Sequence, residues 1–365
     1  MKIVADAEIA YVTEYFYAYG ELILKPGRHI SNDDVKDADI LLVRSITPVD
    51  QTLLANSSIT FVGSVTAGTD HLDVAWLNQH NIHWRAATGF NAQPVADYVV
   101  GVIAALQKKG LLLGSSKKAA VIGVGNIGRL VVERLKSLHF EVIYVDPIRA
   151  QAEKNFISIP FEYVADVDLV SLHVPLSRDG DYPTYQFINK QFLEKQKAGC
   201  VLLNASRGDV IHPEDLKQYG KHCHWCFDVW PNEPTIDPAI LEAALIATPH
   251  IAGYSAQSKI RGIEMIYQAA CEMGIIKPQA VNILPRPQPH LLINHHQLNW
   301  QDLVFGVFDP LRITVNMKET LLRANNSAIK FDELRRGFHD RRELSVEAFS
   351  LAMKRLECEN TDYLP

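Results

Sequence analysis

An arginine, a glutamate and a histidine each follow a short apolar run in the second half of the chain. The runs are Leu202-Leu203-Asn204-Ala205-Ser206-Arg207-Gly208, Asp228-Val229-Trp230-Pro231-Asn232-Glu233-Pro234 and Thr248-Pro249-His250-Ile251-Ala252-Gly253-Tyr254. Each residue alone has an ordinary reading: a surface ion-pair arginine, a turn glutamate, a histidine capping a helix. Together they suit one reaction, the oxidation of a 2-hydroxy acid. An imidazole with an unperturbed pKa of ~6.5 can take and return a hydroxyl proton. A neighbouring carboxylate, Glu233, would orient the His250 ring and stabilise its protonated form. The planar fork of Arg207 matches a substrate carboxylate and would polarise the C2 oxygen.

That chemistry needs an electron acceptor, and the stretch from Lys118 to Asp146 supplies a place for one. Ala119-Ala120-Val121-Ile122 reads as a strand entering Gly123-Val124-Gly125-Asn126-Ile127-Gly128, with a helical apolar pattern from Arg129 to Leu138 and a second strand from Glu141 to Val145. Gly123 permits the tight turn, Gly125 lets the backbone approach a pyrophosphate, and Gly128 lets helix and strand pack closely. The N–H groups at the start of the helix, around Asn126 and Ile127, face the pyrophosphate charge with the positive end of the helix dipole. Asp146 closes the second strand, where it can accept hydrogen bonds from a ribose diol and repel a 2′-phosphate. It outweighs the nearby Arg149 and predicts NAD over NADP.

The elements that must position these groups alternate strand and helix. In residues 1–92 the pattern predicts strands at Lys2–Ala5, Asp39–Val43, Ile59–Val62 and Ile82–Ala86, helices at Glu8–Ala18 and Leu72–Asn81, and a helix beginning at Thr47-Pro48 with Thr47 as its cap. Two strand ends there carry polar groups suited to substrate contact: Arg44-Ser45, and Thr66-Ala67-Gly68-Thr69-Asp70. A long apolar helix from Asn91 to Leu106 leads into the nucleotide domain. That domain continues through strands at Asp168–His173, Cys200–Asn204, Cys223–Asp228 and Ala244–Thr248. The helix Tyr254–Met273 returns the chain to the first unit, and Pro285-Arg286-Pro287-Gln288-Pro289 marks a linker.

Bulk properties narrow the partners. The 365 residues predict two or three domains. A formal charge of −6 and a pI near 6.2 give no basic footprint, so nucleic acid is not expected. An acid at Asp6 precedes any leader-like apolar core, and no run is long enough for a membrane span, which predicts a cytoplasmic protein. The five cysteines are odd in number and irregularly spaced, as in a reducing compartment. Cys223-His224-Trp225-Cys226 matches a metal or redox spacing, but in a strand those two thiols point to opposite faces, so no metal site is expected.

Taken together, these runs resemble the D-isomer-specific 2-hydroxyacid dehydrogenases. The resemblance implies two Rossmann-like parallel-sheet α/β domains with a cleft between them, plus a C-terminal α+β dimerisation domain. Its boundaries would be 1–92 with 257–285 for substrate, 93–256 for NAD and 286–365 for a homodimer contact. It implies Arg207, Glu233 and His250 as catalytic groups. Gly123, Gly125, Asn126, Ile127, Gly128, Asp146, Val174, Ala205, Ser206, Arg207, Asp228 and Gly253 would bind NAD. Val174 stands in His173-Val174-Pro175-Leu176, where many members carry threonine.

Within the family, Leu42-Val43-Arg44-Ser45, Thr66 to Asp73, Pro94 to Val99 and Thr248 to Ser255 resemble members that oxidise 4-phospho-D-erythronate at C2 on the way to vitamin B6. Ser45, Thr66 and Tyr254 would then touch substrate, with Arg44 nearby. Alternatives on the same scaffold are an enzyme for glycerate, phosphoglycerate or hydroxypyruvate, and an NAD-sensing corepressor. The charged run Phe331 to Arg342 reads as a solvated helix face or, on the resemblance, as a source of arginines for the substrate phosphate, with Arg336 and Arg341 as the candidates to test.

Overall fold

The computed structural model describes residues 1–114, 116–281, 283, 299–338, 341–344, 349–351 and 353–354. Two parallel sheets organise it. The first comprises β1 (Lys2–Asp6), β2 (Glu21–Lys25), β3 (Ile40–Val43), β4 (Phe61–Ser64) and β5 (His83–Ala86), in the order β2-β1-β3-β4-β5. The second comprises β6 (Lys117–Ile122), β7 (Phe140–Val145), β8 (Leu169–Leu172), β9 (Val201–Asn204), β10 (His224–Phe227) and β11 (Ile246–Ala247), in the order β11-β10-β9-β8-β6-β7. Strands covered on both faces need continuous apolar sequence rather than alternation. Ile40–Val43 and Val201–Asn204 accordingly have every residue buried.

The chain divides into two compact units, Met1–Asn91 with Ser255–His290, and Ala92–Tyr254 with Leu291–Pro365. In the second unit, the helix Ala92–Lys108 is buried over most of its length and shares a core with Trp300, Leu303, Val304 and Phe308. The helices Pro310–Leu321 and Ser327–Arg336 insert Met317, Leu321 and Phe331 into the core on the other side of the sheet. The described part of the C-terminal segment is therefore helical and contributes no strand, where an α+β segment was expected. The proline-rich run 285–289 lies outside the described residues. No described helix is long and apolar enough to cross a membrane.

Two local expectations change. The helix expected from Pro48 begins at Gln51, because Asp50 accepts the Leu53 N–H (3.0 Å) and outcompetes Thr47 as a cap. Thr47 is instead buried and donates to the Gly27 carbonyl (2.9 Å). Strand β2 was missed although it carries the apolar run Leu22-Ile23-Leu24: it is a half-exposed edge strand, bounded by Glu21 and Lys25. Cys223 and Cys226 do enter opposite cores, as strand geometry requires.

Candidate active site

All strands of the second sheet are parallel, so the loops after β6, β7, β9, β10 and β11 share its carboxyl edge. The order reverses between β6 and β8, the place where such sheets bind ligands. The glycine turn leaves β6 at this point. Gly123 is left-handed (φ 85°), and a Cβ there would lie 2.5 Å from the His173 carbonyl oxygen. A Cβ on Gly128 would lie 2.0 Å from the Gly123 oxygen, so helix Asn126–Ser137 can approach only as glycine. A Cβ on Gly125 would meet nothing within 4 Å. Protein packing therefore does not demand glycine at position 125; open space at a helix N-terminus fits a pyrophosphate.

Asp146 ends β7 and is tied to the turn. Its Oδ2 accepts the Val124 N–H (2.8 Å), while Oδ1 accepts Arg149 N–H (2.9 Å) and caps helix Pro147–Ala152. A carboxylate retains further lone pairs for a ribose diol. Arg149 is held elsewhere, donating to the Val124 carbonyl (2.9 Å) and Glu153 (2.9 Å) and stacking on Phe156 at 4.3 Å. That engagement removes the local candidate for a 2′-phosphate. Asn126 is exposed at the helix start and Ile127 half-buried beside it, while Val174 packs beneath Gly123.

The catalytic candidates lie after β9, β10 and β11. Asn204 fixes the first loop by accepting Ser206 N–H (3.0 Å) and Ser206 O–H (2.8 Å) and donating to the Arg207 carbonyl (2.9 Å). Ala205 and Ser206 are buried, and Arg207 is partly open. A Cβ on Gly208 would lie 1.9 Å from the Trp230 oxygen, so glycine brings the Arg207 loop against the loop that carries Glu233. This contact was not foreseen, although Gly208 sits in the motif.

His250 Nδ1 lies 2.7 Å from Glu233 Oε2, and Glu233 Oε1 accepts the Trp230 N–H at 2.6 Å. Burial would push the Glu233 carboxyl up; the His250 charge and hydrogen bond, the Arg335 charge and the Trp230 N–H together bring it below its ordinary value. The His250 side chain remains 34% exposed, and its Nε2 has no hydrogen bond to a described residue. His250 also has a positive φ of 55°, uncommon for a residue other than glycine, and such conformations concentrate at functional sites.

Asp228 explains how that conformation is held. Buried, it accepts Thr248 O–H (2.7 Å) and Ile251 N–H (2.8 Å) on Oδ1 and Ala252 N–H (2.9 Å) on Oδ2, while its own carbonyl accepts the His250 N–H (2.7 Å). Its carboxyl is pushed up by burial, against the His250 charge and these hydrogen bonds. Assigned from sequence to NAD, Asp228 spends these bonds on the histidine loop. Gly253 and Tyr254 follow that loop, half-buried.

The remaining substrate candidates are in the first unit. Arg44 and Ser45 follow β3, with Ser45 exposed and Arg44 donating Nε to buried Asp6 (2.8 Å). Thr66 follows β4, where Ser64 Oγ lies 2.7 Å from Thr66 Oγ1 and 2.8 Å from His71 Nε2. His71 was not singled out in the sequence, although it lies within the run Thr66 to Asp73. In the C-terminal segment, Arg341 is buried and donates to the Pro94 (2.5 Å) and Ala252 (2.8 Å) carbonyls, and Arg336 is exposed. Arg335, passed over in the sequence, lies with Nη2 3.5 Å from the Tyr254 hydroxyl.

Comparison with known proteins agrees with this geometry. Residues 84–252 match the model of the D-isomer specific 2-hydroxyacid dehydrogenase NAD binding domain. Erythronate-4-phosphate dehydrogenase of Coxiella burnetii (strain RSA 331 / Henzerling II) is 47% identical, with 95% of this chain and 94% of the relative covered. The protein of the same name from Marinobacter nauticus is 39% identical, covering 94% and 93%. A solved structure of NAD+-bound 3-phosphoglycerate dehydrogenase from Entamoeba histolytica shares the fold, with a TM-score of 0.64 at 21% identity over 78% of this chain and 99% of that one. NAD is therefore the cofactor. The chain belongs to the D-isomer-specific 2-hydroxyacid dehydrogenases and, within them, to the erythronate-4-phosphate dehydrogenases.

Proposed function

We propose that this enzyme oxidises 4-phospho-D-erythronate at C2 to 2-oxo-3-hydroxy-4-phosphobutanoate, a step of vitamin B6 biosynthesis. The observation that carries the reading is the His250–Glu233 pair, 2.7 Å apart on the sheet edge that also bears the glycine turn. NAD, held by the glycine turn and Asp146, would supply the acceptor for the hydride that leaves C2. His250 Nε2 accepts the C2 hydroxyl proton, so the C–H and O–H bonds break as the C=O bond forms. Glu233 holds the ring through Nδ1–H and stabilises the imidazolium. Arg207 pairs with the substrate carboxylate. Ser45, Thr66 and Tyr254 contact substrate. Asp146 takes the adenosine ribose, and Ala205, Ser206, Asp228 and Gly253 line the cofactor side.

The same reading assigns residues 1–92 and 257–285 to substrate, 93–256 to NAD and 286–365 to homodimerisation. Apolar Val315, Leu322 and Ile329, exposed at the C-terminal helices, support a self-association face. The described cysteines are free, which suits the cytoplasm. The test is NADH formation from NAD and 4-phospho-D-erythronate beside D-glycerate and 3-phosphoglycerate. Turnover on the four-carbon phosphate supports the assignment; turnover only on three-carbon acids retires it while keeping the chemistry.

A further inference from the structure

We propose that Arg335, on helix Ser327–Arg336 beside Tyr254, is the specificity residue that binds the substrate's terminal phosphate from within the same chain. The inference rests on the proposed substrate and names the group that would recognise its far end.

Three observations converge on Arg335. First, its location: Nη2 is 3.5 Å from the Tyr254 hydroxyl, and its charge acts on both Glu233 and Asp228, which places it at the catalytic pair. Second, its unused capacity: its Nε is enclosed with no hydrogen-bond partner, and no described carboxylate forms an ion pair with it. Glu233 is near, with Oε1 accepting from Trp230 and Oε2 paired with His250, but among the described residues no ion pair joins it to Arg335. A partly buried guanidinium with an unspent donor is a costly arrangement unless an anion completes it. Third, its support: Phe331, one turn earlier, is fully buried, so the helix holds Arg335 on a rigid element.

The neighbouring arginines differ in ways that isolate this one. Arg336 is exposed on the same helix; Arg341 also has buried donors without partners, Nε and Nη1, but is fixed on the Pro94 and Ala252 carbonyls and the Phe308 ring rather than on Tyr254. Of the three, Arg335 is the one that is half-buried and stands within 3.5 Å of the Tyr254 hydroxyl. A phosphate can accept two parallel bonds from its fork.

The test compares Arg335→Met and Arg335→Lys with the natural enzyme, using 4-phospho-D-erythronate and unphosphorylated D-erythronate, with thermal unfolding as a check on folding. Losing two charge-assisted bonds should raise KM for the phosphorylated acid about 100-fold in Arg335→Met. For D-erythronate, kcat/KM should stay within about threefold, and Arg335→Lys should recover part of the loss. Equal losses on both substrates would overturn the proposal and make Arg335 a positioning residue for Glu233 and His250. Should the natural enzyme not prefer the phosphorylated acid, the substrate assignment fails by itself. Titration with inorganic phosphate then decides for Arg335: loss of phosphate binding in Arg335→Met keeps an anion site, and unchanged binding removes it.

Discussion

The two sheets share a strand plan, with the second strand outside the first and the later strands added on the other side, yet their carboxyl edges are used differently. In the first sheet the polar groups at that edge satisfy one another. Buried Asp6 takes Arg44, and Ser64 joins Thr66 and His71. In the second, polar groups are oriented by the chain but left with capacity to spare: Asp146 by Val124 N–H, Glu233 by Trp230 N–H, His250 by Glu233. One topology thus supports a self-paired edge and one whose polar groups keep open capacity. Strand order sets where a site can form, and the hydrogen bonds of a few loops set what it does.

The comparison breaks most directly at the edge with open capacity. His250→Ala should lower kcat about 1,000-fold, as expected for losing a general base, while NAD binding followed by fluorescence stays near the natural value. Glu233→Gln should cost about 30–100-fold in kcat and move the acid limb of the kcat profile to lower pH, because the imidazolium loses its counter-charge. A smaller change would mean that Trp230 and the Asp228 loop orient His250 without Glu233.

At the self-paired edge the expected loss is stability. Arg44→Ala leaves Asp6, with no exposed side-chain surface, without its cation, and should lower unfolding free energy by about 2–3 kcal/mol. Asp6→Asn in the same chain should restore much of it, as read from denaturant midpoints. If Arg44→Ala instead leaves stability intact and raises KM, that edge belongs to substrate recognition.

Asp146→Ala should raise KM for NAD about tenfold and narrow the preference over NADP, with kcat little changed. A finer contrast lies in the two Ser–His pairs, Ser64 with His71 and Ser171 with His173, each at 2.8 Å. Burial brings the His173 pKa down to about 3. The unfolded chain then binds the proton first, near pH ~6.5, so stability is full above that value and falls as pH drops toward 3. From pH ~6.5 to 5 the loss should be about 1–2 kcal/mol, and His173→Gln should remove it from the urea midpoint.

The sequence by itself determined a good deal. The glycine spacing, the acid after β7 and the motifs carrying Arg207, Glu233 and His250 are local patterns, because turn geometry and strand termination depend on adjacent residues. The long helix Ala92–Lys108 and most strands were legible for the same reason. Edge strand β2 was not, since its three apolar residues sit between Glu21 and Lys25 directly after a helical turn, and the helix at Gln51 was misplaced because two caps competed within four residues. Only the tertiary structure decided which polar groups pair. Asp228 turned out to hold the His250 loop, Gly208 to let the Arg207 and Glu233 loops touch, and Arg335 rather than Arg336 or Arg341 to stand beside Tyr254. Those partners lie tens of residues or more apart in the chain, and nothing in local propensity or spacing specifies which distant surfaces the packing of a core will bring within hydrogen-bond reach.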